Sequence, residues 1–384
     1  MTKVMTVVGT RPEIIRLSEV IKRLDATVDH VLVHTGQNYD YELNEIFFEE
    51  LGLRRPDHFL NVDTSSLGRV LGEVLIKTEH VLLEEQPDAF LVLGDTNSCI
   101  AAVMAKRMRI PVYHMEAGNR CFDENVPEET NRRLIDHVAD FNLVYTEHAR
   151  RNLLAEGIHP SRILLTGSPM NEVLTAQRAA IDASDVLKRL GLQEDGYFLV
   201  SAHREENVDD SQRLSALLDC LEAVVSEHGL PVLVSTHPRT RKRLETLARE
   251  VAGVTFHRPL GFHDYNRLQL SARCVLSDSG TVAEEASLLG FPAVTLRGAI
   301  ERPEALDAGG LVLADLDREN LILGIRATAG STPRAVPAEY AVDNCAERTV
   351  NYIISTCRRH AEWAGLRAST AAGAPAMGDG GRPG

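Results

Sequence analysis

The sequence predicts an α/β protein with two doubly wound, Rossmann-like parallel-sheet domains, and three observations support this fold class. Short β-branched runs alternate with amphipathic helical patterns along the 384 residues. The alternation stops in a polar stretch after residue 175 and then restarts, which indicates two domains. Polar clusters follow many of the apolar runs, and in such sheets ligands bind beyond the carboxyl ends of the strands. We therefore expect two domains that face one another across a cleft.

The first domain is assigned to residues 1–180. The stretch 65–86 repeats apolar residues three and four positions apart, which is the period of an amphipathic helix. Five further runs have the apolar, β-branched composition of buried parallel strands. These runs are VMTVVGT (4–10), HVLVHT (30–35), AFLVLG (89–94), PVYHM (111–115) and FNLVYT (141–146).

The second domain is assigned to residues 190–364. The boundary lies within residues 175–196, which are polar and have no buried-strand pattern. Residues 365–384 are small and rich in Gly, Pro and Ala, so we expect a disordered tail. The predicted strands of this domain are YFLVSA (197–202), PVLVST (231–236), VTFHR (254–258), RCVLSD (273–278) and AVTL (293–296).

Composition and charge exclude several kinds of partner. The net charge of −14 disfavours nucleic acid and anionic membranes, which attract basic surfaces. The six cysteines are widely spaced and form no CxxC, so neither a metal site nor a disulfide framework is predicted. The N-terminal segment becomes charged too early for a signal peptide, and no apolar run is long enough to span a membrane. We expect a cytoplasmic protein.

Seven polar clusters stand at the ends of predicted strands. Any one of them could be an ordinary turn, because a fold without a ligand also needs polar loops. Clusters from both halves of one chain instead predict a single site between the domains. The clusters are GTRPE (9–13), TGQNYD (35–40), GDTNS (94–98), HMEAGNR (114–120), SAHREEN (201–207), STHPRT (235–240) and SDSGTVAEE (277–285).

The segment SDSGT is the candidate anion site. Ser279, Gly280 and Thr281 follow a strand and open a helix, where backbone N–H groups and the helix dipole favour a phosphate. Arg11 and Arg302 belong to two Arg-Pro-Glu units, one in each half, and would suit a clamp on a phosphorylated ligand. A well-capped helix and two surface helix starts are the alternative interpretation.

The candidate acid–base groups lie mainly in HMEAGNRCFDENVPEETNRR (114–133), which gathers five carboxylates and three arginines. A solvent-facing helix with pairs four residues apart, Glu128 with Arg132 and Glu129 with Arg133, would explain part of this charge. It does not explain Glu116 or Asp95, which follow neighbouring strands and are candidates for proton transfer. His203, in the second domain, is a third titratable group at the same cleft.

Together these residues resemble the non-hydrolysing UDP-N-acetylglucosamine 2-epimerase family, from GTRPE near residue 9 to ERPEA near residue 305. The resemblance implies the GT-B fold, in which two Rossmann-like domains face a cleft. It also implies a reaction that needs no cofactor and no metal. A base removes the C2 proton while UDP leaves C1, which gives a 2-acetamidoglycal, and UDP then adds back as C2 is protonated from the opposite face. A UDP-sugar substrate and a homodimer are further expectations.

The resemblance assigns roles residue by residue. It places four residues at the catalytic positions: Asp95, Glu116, Glu128 and His203. The substrate contacts that it implies, for UDP and the sugar, are Arg11, Arg16, Gln37, Arg120, Ser279, Gly280, Thr281, Glu284 and Arg302. Among these, Arg11, Ser279 and Gly280 would contact the phosphates and Glu284 the ribose.

Several departures from the family pattern keep the sugar open. The loop NRCFDENVPEE is shorter than the family's loop and lacks the aromatic residue of its usual Ser-Pro-aromatic-Pro-Glu-Glu ending, and SDSGG is replaced by SDSGT. Asn38 and Glu205 differ from the residues associated with allosteric activation in some members. The changes resemble the branch that converts UDP-2-acetamido-2,6-dideoxy-L-talose to UDP-N-acetyl-L-fucosamine. A GT-B glycosyltransferase, a hydrolysing relative and a non-catalytic UDP-sugar sensor also remain open.

Overall fold

The computed structural model describes residues 1–36, 45–236, 238–247, 249, 251–329 and 335–366. Gln37 and Asn38 therefore lie outside the described residues, as does the predicted tail from residue 367 onward.

The first sheet is parallel throughout, in the order β3-β2-β1-β4-β5-β6-β7. Its central strands are buried on both faces, which explains their continuous apolar runs. All five strands predicted for this half are present. The strands are β1 (Lys3–Val8), β2 (Asp29–His34), β3 (His58–Phe59), β4 (Ala89–Leu93), β5 (Val112–Met115), β6 (Phe141–Val144) and β7 (Ile163–Leu165).

The second sheet is also parallel and has the order β10-β9-β8-β11-β12-β13. The five strands predicted for this half are again present. The strands are β8 (Phe198–Ser201), β9 (Val232–Ser235), β10 (Val254–His257), β11 (Cys274–Ser277), β12 (Ala293–Thr295) and β13 (Val312–Leu313).

Helices connect the strands and cover both faces of each sheet, as crossover connections between parallel strands require. The helices are α1 (Arg11–Thr27), α2 (Glu45–Glu50), α3 (Leu67–Glu85), α4 (Ala101–Arg107), α5 (Pro127–Val138), α6 (Glu147–Ala155), α7 (Met170–Ala183), α8 (Val186–Leu190), α9 (Glu205–Val208), α10 (Ser211–His228), α11 (Pro238–Leu247), α12 (Phe262–Ser271), α13 (Val282–Leu289), α14 (Glu304–Asp307), α15 (Arg318–Thr328), α16 (Cys345–Thr356) and α17 (His360–Trp363).

Helix α1 shows how the sequence specifies these elements. Pro12 occupies its first turn, where the missing N–H costs nothing. Ile14, Leu17, Ile21 and Leu24 recur at helical spacing and are fully buried, so one face of the helix packs on the first sheet.

The C-terminal helix α16 packs against the first sheet rather than the second. Its Cys345, Val350 and Ile353 are buried in the same hydrophobic core as Leu17 and Val20 of α1. The sequence-based assignment gave all of residues 190–364 to the second domain. We propose instead that residues 345–363 complete the first domain, because their apolar face lies in its core.

The two sheets share one topology, which is the two-domain GT-B arrangement expected from the sequence. In each, the chain reverses direction beside the first strand, so a crevice opens at the carboxyl ends of β1 and β4 and of β8 and β11. The loops after these four strands line one cleft between the domains. In the described part of the chain, no helix combines the length and hydrophobicity that a membrane span requires.

Candidate active site

The cleft contains two adjoining cavities. The inner cavity lies against α2 and α12, and the outer cavity, of about 920 Å³, opens between the strand ends of the two sheets. Residues of the inner cavity include Arg11, Phe47, His203, Phe262, Tyr265, Asn266, Ser279, Thr281 and Glu285. Residues of the outer cavity include Glu13, Arg16, Asp95, Glu116, Glu128, His203, Arg204, Ser279, Gly280, Thr281, Glu301 and Arg302.

Glu116 directly follows β5 and projects into the outer cavity. Its backbone has a φ of 64°, an uncommon left-handed conformation for a residue with a side chain. Its carboxylate forms an ion pair with Arg302 and lies 3.5 Å from Nε of Arg16. Backbone strain of this kind is concentrated at functional sites, where the surrounding structure holds it in place.

Glu284 lies behind Glu116 and shares both of its arginines. Its carboxylate pairs with Arg16 and lies 3.2 Å from Nη1 of Arg302, while Ser168 donates a hydrogen bond to it. Burial raises the pKa of Glu284, but the two guanidinium groups outweigh burial and the net pKa is lowered. Two carboxylates and two arginines thus alternate across the domain boundary.

Asp95 follows β4 and also faces the outer cavity. Arg132 of α5 binds it at 2.6 Å and also contacts Glu129 at 3.1 Å and Glu301 at 3.0 Å. Glu301 is buried, and burial alone would raise its pKa. Its neighbouring arginines, led by Arg204, outweigh burial and lower the pKa of Glu301 well below its usual value.

His203 follows β8 and borders both cavities. Its backbone N–H donates to the buried carboxylate of Asp278, as does the backbone N–H of Arg204. The imidazole Nδ1 lies 3.3 Å from Asp278. Burial, together with Arg11 and Arg204, outweighs the attraction of Asp278 and lowers the pKa of His203, so the ring is neutral near pH 7.

The segment Ser279–Thr281 forms the turn before α13, as the sequence predicted. Its hydroxyl groups contact one another at 2.9 Å. Gly280 packs closely here, because a Cβ at this position would lie 3.1 Å from Nη1 of Arg302. A helix N-terminus beside Arg204 and Arg302 is therefore a site for an anion.

The inner cavity has a mixed polar and aromatic lining. The guanidinium group of Arg11 lies 5.6 Å from the ring centroid of Phe47. Opposite it, the carboxylate of Glu285 accepts a hydrogen bond from Gln269 at 2.7 Å. Burial raises the pKa of Glu285. This lining suits a planar ring and hydroxyl groups.

The structure brings most of the residues selected from the sequence into the two cavities. All four candidates for catalysis line the outer cavity, and Arg11 lines the inner one. The other selected residues at the cavities are Arg16, Ser279, Gly280, Thr281 and Arg302.

Arg120 and Glu284 line neither cavity. The buried guanidinium group of Arg120 contacts Asp136 and Glu156, each at 2.7 Å, and does not face the cavities where a contact with substrate was expected. Glu284 does not face the inner cavity, because its side chain and that of its neighbour Glu285 point about 100° apart around α13. Its neighbour Glu285 reaches the inner cavity.

Several charged residues at the site were not selected from the sequence, among them Arg204, Glu285, Glu13, Arg132 and Glu301. Glu13 lines the outer cavity, and burial raises its pKa to about 7 despite hydrogen bonds from Ser98, Thr10 and Gly9. Arg132 and Glu301 join the two domains. Glu301 stands beside Arg302 in ERPEA and Glu13 beside Pro12 in GTRPE, so the Arg-Pro-Glu units were the available signal.

Metal-ligating side chains do not converge at this site. Among the described residues, no group of three or more His, Cys, Asp or Glu side chains is arranged to hold a metal ion.

Comparison with known proteins agrees with this geometry. The sequence profile of the UDP-N-acetylglucosamine 2-epimerase family matches residues 22–354. A UDP-2,3-diacetamido-2,3-dideoxy-D-glucuronate 2-epimerase of Pseudomonas aeruginosa is 35% identical over 359 residues, which is 91% of this chain and 99% of the relative.

Two solved structures are also similar. A UDP-N-acetylglucosamine 2-epimerase from Rickettsia bellii superposes with a TM-score of 0.90 at 42% identity and covers 96% of this chain and 100% of its own. The Methanocaldococcus jannaschii UDP-GlcNAc 2-epimerase, in complex with UDP-GlcNAc and UDP, superposes with a TM-score of 0.88 at 34% identity. The match covers 92% of this chain and 100% of the M. jannaschii chain. With its parallel double sheet and its acid–base cleft, the chain belongs to the UDP-N-acetylglucosamine 2-epimerase family.

Proposed function

We propose that this protein is a non-hydrolysing UDP-N-acetylhexosamine 2-epimerase of the type that converts UDP-GlcNAc to UDP-ManNAc. One observation carries the proposal: Asp95, Glu116, Glu128 and His203 line a single cavity beside the N-terminus of α13. Such a cavity provides groups for proton transfer next to a place where a diphosphate is stabilised. A similar enzyme from M. jannaschii binds UDP-GlcNAc and UDP, which supports this choice of ligand.

The nucleotide would occupy the inner cavity, with its phosphates at the border of the outer one. Arg11 and the turn of Ser279, Gly280 and Thr281 would contact the phosphates, because they offer a cation and backbone donors. We assign the ribose hydroxyl groups to Glu285 in place of Glu284, since only Glu285 lines the inner cavity.

The reaction would remove the C2 proton although that proton is not acidic. A carboxylate takes the proton, the C1–C2 double bond forms, and the bond from C1 to UDP breaks. In the return step the phosphate oxygen of UDP attacks C1, and a carboxylic acid delivers a proton to the opposite face of C2. Asp95 and Glu116 follow adjacent strands and would share these transfers with Glu128.

His203 and the arginines would stabilise the departing UDP. The imidazole of the free protein is neutral because burial and neighbouring arginines lower its pKa. A diphosphate placed beside it would favour the protonated ring, which could then donate to the leaving oxygen. Arg16 and Arg302, which pair with Glu116, lie at the same border.

A second candidate substrate is UDP-2-acetamido-2,6-dideoxy-L-talose. The short loop 119–127 favours it, because Asn125 of this loop lines the outer cavity where the sugar would lie. The P. aeruginosa relative is named for another UDP-sugar, which agrees with variation of the sugar within the family.

We also propose a cytoplasmic homodimer that supplies a sugar for polysaccharide or antibiotic biosynthesis. The described cysteines are all free thiols, which fits a reducing compartment. Light scattering on the purified protein would test the dimer.

The reaction itself is tested by proton NMR in D₂O with UDP-GlcNAc and, separately, with the 6-deoxy-talose compound. We expect deuterium at C2 together with a second epimer, and the tube that reacts identifies the sugar. Transfer to an acceptor without C2 exchange would support a glycosyltransferase, and UDP binding without any turnover would support a sensor. Either result would overturn the proposal.

A further inference from the structure

The N-terminus of α12 lacks a cap from its own chain segment. Its N-cap residue is Gly261, which has no side chain and forms no side-chain hydrogen bond to the helix. The first backbone N–H groups of a helix normally need an acceptor, which a Ser, Thr, Asp or Asn at the N-cap would supply. Another part of the molecule must therefore provide it.

The acceptor is a carboxylate from the other domain. The backbone N–H of Phe262 donates to Glu50, the last residue of α2 in the first domain. Gly261 makes this approach possible, because a Cβ at that position would collide with the Glu50 carboxylate. Burial raises the pKa of Glu50 despite the hydrogen bonds that its carboxylate accepts from the backbone of α12.

Neighbouring contacts dock the same end of α12 onto the first domain. Phe262 is 4% exposed and lies in the hydrophobic core that contains Phe47 and Met170. The ring of His263 contacts Gln177 of α7 at 2.9 Å. The contact with Glu50 is thus the polar component of a junction between the domains.

Both helices of this junction line the inner cavity. Helix α2 contributes Phe47 to one wall, beneath Arg11, while α12 contributes Phe262, Tyr265 and Asn266 to the other. A change in the distance between the two helices therefore changes the space between the two walls.

We propose that Glu50 is a positioning residue that holds the two domains closed around the nucleotide by capping α12 across the domain boundary. This role of Glu50 rests on the proposed function, because it assumes that the nucleotide binds in the inner cavity. Glu50 does not line either cavity, so it acts through the walls that it fixes. A site that closes in this way retains a glycal intermediate that would otherwise diffuse away.

The test compares Glu50→Gln and Glu50→Ala with Glu49→Gln, a change at the exposed neighbouring residue of α2. We expect Glu50→Ala, which removes the acceptor, to bind UDP roughly 3- to 30-fold more weakly, and Glu50→Gln, which keeps an oxygen acceptor but loses the charge, to be weakened less. We also expect them to release free glycal and UDP during turnover, whereas Glu49→Gln behaves like the wild type. Wild-type affinity together with undetectable glycal release in both Glu50 variants would overturn the proposal.

A double variant separates positioning from ordinary helix capping. In Glu50→Ala/Gly261→Ser, the serine can cap α12 from its own N-cap position, and the collision with Glu50 no longer exists. We expect thermal stability to return while UDP affinity and retention of the glycal do not. Full recovery of all three would show that Glu50 only stabilises the helix.

The wild-type protein is measured in the same experiment. Failure of the wild type to bind UDP would overturn the proposed function, and the role of Glu50 with it. UDP binding and C2 exchange by the wild type, with no effect of the Glu50 variants, would overturn only the role of Glu50.

Discussion

Asp95 and Asp278 occupy equivalent positions in the two domains but have opposite roles. Each follows the fourth strand of its sheet, in GDT after β4 and SDS after β11. The side chain of Asp95 is 22% exposed and faces the outer cavity, whereas that of Asp278 is fully buried. One topological position thus places a carboxylate at the cavity in one domain and a buried hydrogen-bond acceptor in the other.

The two domains also differ in the residue whose carboxylate links the segments after the first and fourth strands of the sheet. In the first domain, Glu13 in the first turn of α1 accepts a hydrogen bond from Ser98, which follows β4. In the second, Asp278 in the loop after β11 reaches back to the backbone of His203 after β8. Glu13 thus joins the start of α1 to the segment after β4, while Asp95 of that segment faces the outer cavity.

The largest expected effect is a loss of turnover when Asp95 or Glu116, the carboxylates of the first domain that face the outer cavity, is replaced. Asp95→Asn or Glu116→Gln should lower kcat by roughly 10²-fold or more, because general acid–base catalysis contributes about that factor. UDP binding should persist, since neither carboxylate is among the groups assigned to the phosphates. Steady-state kinetics and calorimetric UDP titration measure both quantities, with the exposed loop substitution Glu124→Gln as the control. Near-normal kcat in both variants would contradict the assignment.

Glu13 should make folding stability depend on pH. Its pKa is raised to about 7 in the folded protein. Its contribution to the free energy of unfolding is therefore fully present at low pH. This stabilisation is lost as the pH rises from about 4.5, the ordinary pKa of a glutamate, through about 7, the pKa of Glu13 in the folded protein. The loss amounts to roughly 3 kcal/mol. Urea unfolding at pH 5 and pH 8 should show a smaller decrease for Glu13→Gln than for the wild type, and equal decreases would refute this account.

Asp278→Asn should destabilise the second domain by about 1–3 kcal/mol, because an amide cannot accept from all the donors that converge on this buried carboxylate. Asp95→Asn should change stability much less, since Asp95 is partly exposed. Urea unfolding of the two variants compares the equivalent positions directly. Similar destabilisation by both changes would remove the proposed distinction.

The smallest expected effect concerns Glu285. Glu285→Gln should weaken UDP binding by about 10-fold, the usual order for loss of a hydrogen bond to a charged group. The penalty should disappear with 2′,3′-dideoxy-UDP, which lacks both ribose hydroxyl groups. Titration calorimetry with the two nucleotides separates these cases. An equal penalty for both nucleotides would place the ribose elsewhere.

The charge cluster of residues 114–133 shows how far sequence patterns reach. Spacing of four residues predicted a pair between Glu129 and Arg133, and the two side chains contact at 3.2 Å. The same spacing suggested Glu128 with Arg132, but Arg132 contacts Asp95 and Glu301, the latter 169 positions along the chain. Local spacing cannot anticipate a partner that folding brings from another domain.

Strand prediction had a similar limit. The ten predicted strands are present because buried parallel strands carry continuous apolar runs. The short strands β3, β7 and β13 were not predicted. With two or three residues each, they are too short to establish a pattern, and pairing with a neighbouring strand defines them.

The sequence alone determined the two-domain parallel architecture and the strand ends that carry chemistry, because apolar periodicity and the positions of polar residues are local properties. Only the tertiary structure decided that Glu285 and not Glu284 reaches the inner cavity, that Arg120 is buried away from both cavities, and that Glu50 caps a helix of the other domain. These outcomes depend on side-chain direction and on contacts between distant segments. Both arise when the two domains pack together.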